Sequence, residues 1–158
     1  MNNLFDEYIE SLTPAKKIIA REAVATYLKG ESAKVEQIRS AAEINAKMRY
    51  FANYEDEHAA AILMNQAGKI IKVKELSHGS LTGTLVDVRI IAKEAILSNA
   101  TSVALVHNHP SGSLQPSKDD DNLTRRVRDG LQTLQIRLID HVIISNEGYY
   151  SYADNDRI

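Results

Sequence analysis

Residues 103–110 of the chain read VALVHNHP, and this stretch decides the fold that we predict. Four apolar residues in succession are typical of a strand that is covered on both faces, at the centre of a sheet between helices. The next residues contain Pro110, Gly112 and Pro116, which favour a loop. We therefore expect a central strand over residues 103–107 that leads into a loop.

The segments before this strand combine a hairpin pattern with a helix pattern. Residues 60–64 (AAILM) and 70–76 (IIKVKEL) flank the turn residues NQAG and predict two paired strands. A helix is expected to begin after Asp87, which can cap it, and to end at Asn99. Its inner face is predicted to carry Val88, Ile91, Ala92, Ala95 and Ile96.

The segments after the central strand continue the alternation. A helix is expected from Ser117, and residues 141–144 and 149–152 flank the turn residues NEG as two further strands. The inner stripe of that helix is predicted to be Leu123, Val127, Leu131 and Leu134. The order of elements predicts an α/β fold with a mixed β-sheet flanked by helices.

Two more helices are predicted near the N-terminus. One opens at Thr13 and Pro14 and stops at Gly30, and another opens at Ser40. The second places Ile44, Met48 and Phe51 on one stripe. We expect an N-terminal helical segment over residues 1–30 and one domain over residues 31–158.

Composition excludes several classes of function. The 158 residues include 19 Lys and Arg against 21 Asp and Glu, for a net charge of −2, which argues against a polybasic nucleic-acid binder. The chain contains no cysteine, so disulfides, a cysteine nucleophile and thiolate zinc clusters are excluded. The start MNNLFDE is not typical of a secretory signal, and no apolar run reaches the roughly 20 residues of a membrane span. We expect a cytoplasmic protein with no membrane partner.

Two histidines at the end of the central strand predict a metal site. Alternate side chains of an extended chain point to the same face, so His107 and His109 can reach one cation together. A carboxylate in the first turn of the helix after Ser117 would be a third ligand and would leave the fourth position of zinc for water. Ser117 and Asp120 also have the spacing of a capping box, which is the structural alternative.

The complete pattern resembles a known family. His107, His109, Ser117 and Asp120 have the spacing of the JAMM motif of the JAB/MPN metalloprotease superfamily, which has a cytidine-deaminase-like fold. The strings HNHPSG at 107–112, LTRR at 123–126 and LIDHVII at 138–144 are similar to its RadC branch. The resemblance covers about residues 38–152.

The resemblance implies a role for each of these residues. One zinc ion would be bound by His107, His109 and Asp120, while Ser117 orients the water or stabilises the oxyanion. The general acid and base of the family is a glutamate just before an apolar strand, which fits Glu57, with Glu75 as the alternative.

The implied function is zinc-dependent hydrolysis of a peptide or isopeptide amide bond by a metal-activated water, with a peptide or protein as substrate. One alternative is a DNA-repair-associated accessory module that binds metal without a dedicated peptidase activity. Another is hydrolysis of a non-peptide amide. The near-neutral charge, and the lack of a glycine-rich hairpin in the first thirty or so residues, weigh against a nucleic-acid partner.

The remaining polar clusters have structural interpretations. Arg125, Arg126 and Arg128 are predicted to form a solvated face, with phosphate contact as the alternative. The alternating tyrosines are expected to pack rather than to stack on bases. The other histidines lack metal spacing and are interpreted as packing or surface residues: His58, His78 and His141.

Overall fold

A computed structural model of the chain describes residues 11–13, 16–17, 36–78 and 86–158. Residues 36–158 form one compact unit, in which all the elements named below lie. Most of the helix predicted from Thr13 to Gly30 lies outside the described residues, as does the domain boundary predicted after residue 30. Both stay predictions. Within the described part of the chain, no helix has the length and apolar composition needed to cross a bilayer.

Five strands form one mixed sheet in the order β2-β1-β3-β4-β5. The strands are β1 (His58–Met64), β2 (Ile70–His78), β3 (Ser102–Asn108), β4 (Arg137–Ser145) and β5 (Gly148–Ser151). Only β3 and β4 run parallel, because the chain crosses between them through a helix, and the other neighbours are antiparallel. The predicted mixed α/β sheet is confirmed.

Helices cover both faces of the sheet. One face packs against helix α1 (Ala41–Met48) and the 3-10 helix Arg49–Asn53 that continues it. The other face packs against helices α2 (Val88–Leu97) and α3 (Lys118–Gln132). Every residue of β3 is buried, as the apolar run at 103–106 predicts. The central strand is therefore confirmed as the core of the fold.

The alternation of β3 decides what each side chain at its end can reach. Ala104 and Val106 face α1, whereas Val103 and Leu105 face α2 and α3. Because side chains alternate along a strand, His107 lies on the same face as Val103 and Leu105 and points towards α3. Asn108 lies on the opposite face and points towards the segment after α1. The backbone N–H of His109 donates to Ile144 O at 2.9 Å and extends the ladder with β4 by one residue.

Two predicted core positions are wrong. Ile96 is 55% exposed because the inner face of α2 is centred on Ile91 and Ala95, and each further residue turns the side chain by about 100°. Leu134 is 43% exposed because α3 ends at Gln132, before this residue. Ile136 is buried instead, and its backbone N–H donates to Leu131 O at 3.0 Å.

Candidate metal centre

Three side chains meet at the carboxyl end of β3. The Nε2 atoms of His107 and His109 are 3.0 Å apart. The Oδ1 atom of Asp120 lies 3.1 Å from Nε2 of His107, and its Oδ2 atom lies 3.5 Å from Nε2 of His109. The ligand atoms of all three residues fall within 4.8 Å of one another. The tertiary structure thus brings together the three residues expected to bind zinc.

The spacing of these atoms fits a tetrahedral metal ion. Ligand atoms about 2.1 Å from a tetrahedral zinc are separated from one another by roughly 3.4 Å. Nε2 of His107 lies close to this distance from Nε2 of His109 (3.0 Å) and from Asp120 Oδ1 (3.1 Å), while the 3.5 Å contact of His109 is with the other carboxylate oxygen, Oδ2. The side chains of His107, His109 and Asp120 are only 5, 11 and 14% exposed, so water competes weakly for them. Two imidazole nitrogens and a carboxylate also match the preference of zinc for nitrogen and oxygen ligands.

Asp120 takes part in a helix cap and in this cluster at the same time. The backbone N–H and the hydroxyl of Ser117 both donate to Asp120 Oδ2 at 2.7 Å. In return, the backbone N–H of Asp120 donates to Ser117 Oγ at 3.1 Å, which completes a capping box. Since Oδ1 remains directed at His107, the capping and the metal interpretations are compatible. Ser117 orients the carboxylate through its own hydroxyl hydrogen.

The charges of the cluster perturb one another. Burial alone would raise the pKa of Asp120, but hydrogen bonds with His107 and His109 outweigh it and hold the pKa below the ordinary value. The hydrogen bond with Asp120 raises the pKa of His109, and the negative charge of Glu57 adds to this effect. The cluster therefore favours a positive charge between its ligand atoms, as a cation site must.

Glu57 lies at the same end of the sheet as the histidines. Because β1 and β3 are antiparallel with Ala59 opposite His107, the residue just before β1 is brought to the carboxyl end of β3. Its charge acts on His109, as described above. Glu75 lies on β2, and its carboxylate is 3.2 Å from Nδ1 of His58. The charge of Glu57 thus acts on a histidine of the cluster, whereas the observed partner of Glu75 is His58.

Three further residues contact the candidate centre or the backbone beside it, and the sequence pattern did not single them out: Asn108, Thr124 and His141. Nδ1 of His107 lies 2.8 Å from Nε2 of His141, and Nδ1 of His141 lies 2.6 Å from the hydroxyl of Thr124. Burial lowers the pKa of His141 well below its ordinary value. Asn108 bonds to the backbone that carries Glu57. The one available signal for His141 was a histidine inside the apolar run LIDHVII.

The arginines and tyrosines make structural contacts. Arg126 donates to Val86 O at 3.3 Å, and Arg128 pairs with Asp129 at 2.9 Å. The ring of Tyr152 stacks on His141, which supports packing for this tyrosine. The side chain of His78 lies outside the described part of the chain.

Comparison with known proteins identifies the family. The RadC-like JAB domain family matches residues 35–157. The chain is 37% identical over 127 residues to a UPF0758 protein of Streptococcus gordonii, covering 80% of this chain and 56% of that protein. It is 42% identical over 106 residues to a UPF0758 protein of Porphyromonas gingivalis, covering 66% of this chain and 47% of that one.

A UPF0758 protein of Flavobacterium johnsoniae is 39% identical over 93 residues, covering 59% of this chain and 41% of its own length. The chain spans about half the length of the curated relatives that it matches. The family match includes β1 to β5 and every residue of the candidate centre. This chain therefore belongs to the RadC-like JAB domain family.

Proposed function

We propose that this protein is a zinc-dependent hydrolase of the JAMM type that cleaves a peptide or isopeptide amide bond. The observation that carries the proposal is the convergence of His107, His109 and Asp120 within 4.8 Å, with the charge of Glu57 acting on the same cluster. A zinc ion held by these three residues would polarise the scissile carbonyl and lower the pKa of a water molecule to about 7.

The protein's own residues would move the protons. Glu57 would accept a proton from the attacking water as the new C–O bond forms, and would return it to the amide nitrogen as the C–N bond breaks. Ser117 would turn its hydroxyl from Asp120 Oδ2 to the carbonyl oxygen, where negative charge develops. The capping box places that hydroxyl beside the third proposed ligand. Family membership supports these roles, since His107, His109, Ser117 and Asp120 have the spacing of the JAMM motif and Glu57 lies just before an apolar strand.

The test combines metal analysis with an activity assay. Purified protein should contain about one zinc per chain, and a His107→Ala/His109→Ala double variant should contain almost none. His58→Ala removes a histidine that pairs with Glu75 outside the cluster, and should keep its zinc. The wild type and His58→Ala should cleave peptide or isopeptide libraries, and the double variant should not. Equal zinc in the wild type and the double variant would contradict the metal centre.

The DNA-associated alternative receives less support from the described residues. The cationic group that suggested phosphate contact is partly engaged, since Arg126 binds a backbone carbonyl and Arg128 binds Asp129. We therefore expect gel-shift experiments to show no salt-dependent affinity for duplex or single-stranded DNA. Submicromolar binding that weakens steeply with salt would favour the accessory module instead.

A further inference from the structure

A chain of buried hydrogen bonds begins at the back of the His107 ring. Nδ1 of His107 lies 2.8 Å from Nε2 of His141, whose Nδ1 lies 2.6 Å from Oγ1 of Thr124. That hydroxyl donates to the backbone carbonyl of Asp120 at 2.6 Å. The chain crosses from β3 to β4 and to α3, and it ends on the residue whose carboxylate faces His107. It therefore links two of the three proposed ligands.

The direction of each hydrogen bond follows from counting hydrogens. A carbonyl oxygen can only accept, so the single hydroxyl hydrogen of Thr124 is used on Asp120 O. The contact between Thr124 and His141 must then use the Nδ1–H of His141. A neutral imidazole carries one N–H, so Nε2 of His141 is an acceptor and His107 donates to it from Nδ1. Nε2 of His107, which lies 3.1 Å from Asp120 Oδ1, is then the nitrogen left for zinc, and zinc would displace any hydrogen held there against Asp120.

The surroundings of His141 keep it neutral and prevent it from turning. Its ring is fully buried, and a charged imidazolium without a carboxylate partner is costly in such a place. The ring of Tyr152 stacks on it with centroids 4.9 Å apart and an interplanar angle of 10°. The hydroxyl of Tyr152 donates to Asp121 at 2.8 Å, which fixes that ring in turn.

We propose that His141 and Thr124 are positioning residues of the metal centre. They hold the proton of His107 on Nδ1, so that its Nε2 is presented as a ligand, and they tie the first turn of α3 to the same network. Hydrogen-bond partners behind a metal-binding histidine affect metal affinity about 10- to 100-fold. The inference rests on the proposed function only in requiring that the cluster binds zinc, and it does not depend on hydrolysis.

Thr124→Val is the most informative change, because it removes the hydroxyl and keeps the shape of a buried side chain. His141 can then carry its proton on Nε2 and donate to Nδ1 of His107, which moves the proton of His107 to the atom that should bind zinc. We expect zinc to bind about 10- to 100-fold more weakly to Thr124→Val. Thr124→Ser keeps the hydroxyl and should restore the affinity to within about threefold.

Ser151→Ala is the matched control. This buried hydroxyl donates to Asp140 at 2.7 Å on β4, next in sequence to His141, but outside the hydrogen-bond chain. The variant should lose stability and keep its zinc affinity. Affinity is measured by competition with a chromophoric chelator, and the fold of each variant is checked by circular dichroism.

Nitrogen-15 NMR of the histidine side chains tests the proton positions directly, in metal-free protein at pH 8. We expect protons on Nδ1 of both His141 and His107 in the wild type, and on Nε2 of His141 in Thr124→Val. A proton on Nε2 of His141 in the wild type would overturn the inference, as would unchanged zinc affinity in folded Thr124→Val. If the wild type binds zinc as described but hydrolyses nothing, the proposed function fails and the inference stands.

Discussion

Asn108 holds the backbone on both sides of Glu57. Its Oδ1 accepts from the backbone N–H of His58 at 2.6 Å, and its Nδ2 donates to the carbonyl of Asp56 at 2.9 Å. Asn108 is fully buried and lies between the two histidines of the cluster. The residue between the proposed ligands thus positions the proposed acid and base. The end of β3 therefore orients both the proposed histidine ligands and Glu57, because His107 and Asn108 are adjacent and face opposite sides of the sheet.

Removing this clamp should destabilise the protein without removing metal. Asn108→Ala leaves the N–H of His58 and the carbonyl of Asp56 without their partner, and we expect the free energy of unfolding to fall by about 2 kcal/mol. Asn53→Ala changes an exposed asparagine nearby and should cost less than about 0.5 kcal/mol. Urea denaturation measures both values. Hydrogen exchange should show faster exchange of the His58 amide in Asn108→Ala, and unchanged protection would contradict the clamp.

Replacing Glu57 should separate metal binding from hydrolysis. Glu57→Gln keeps the size of the side chain but cannot accept a proton, so we expect full zinc content and a kcat lower by about 100- to 10,000-fold. Glu75→Gln changes the glutamate that pairs with His58 and should leave kcat nearly unchanged. Both variants are assayed on a substrate that the wild type cleaves. A large loss of kcat in Glu75→Gln, with little loss in Glu57→Gln, would instead make Glu75 the acid and base.

Zinc affinity should depend on pH through His109. The hydrogen bond with Asp120 raises the pKa of this histidine above the ordinary value of 6.5, so the ring keeps its proton at pH values where a free histidine has lost it. Zinc must displace that proton. The apparent affinity should therefore be constant at high pH and decrease as the pH falls through the raised pKa, beginning above 6.5. Chelator competition between pH 6 and about 9 measures the profile, and a flat profile would contradict it.

Two glycines with positive φ should respond differently to alanine. Gly68 has φ 73°, and a Cβ there would lie 2.7 Å from the carbonyl oxygen of Ile38. Gly112 has φ 84°, but its Cβ would come no closer than 3.8 Å to Glu147. We expect Gly112→Ala to cost about 1 kcal/mol, from backbone conformation alone. Gly68→Ala should cost more than about 2 kcal/mol, because the backbone must also move. Equal urea midpoints for Gly68→Ala and Gly112→Ala would contradict the close approach of residue 68 to the carbonyl oxygen of Ile38.

Local patterns predicted most of the fold correctly. The apolar run at 103–106 predicted the central strand, the turn residues NQAG predicted the hairpin, and Asp87 and Ser117 cap helices as expected. These patterns depend on neighbours within a few residues, which the sequence displays directly. Ile96 and Leu134 were placed wrongly because the centre of a buried face, and the last turn of a helix, depend on how the helix packs.

The sequence by itself determined the candidate ligand set: strand alternation placed His107 and His109 together, and the resemblance to the JAMM motif selected Asp120 among the carboxylates in the first turn of α3. Only the tertiary structure decided what surrounds that set. His141 is 34 residues from His107, and the Asn108 contact with His58 spans 50 residues. Such contacts depend on the register of β3 with β1 and β4. Register is set by packing of the whole sheet, so no local pattern reveals which polar residues will meet behind the ligands.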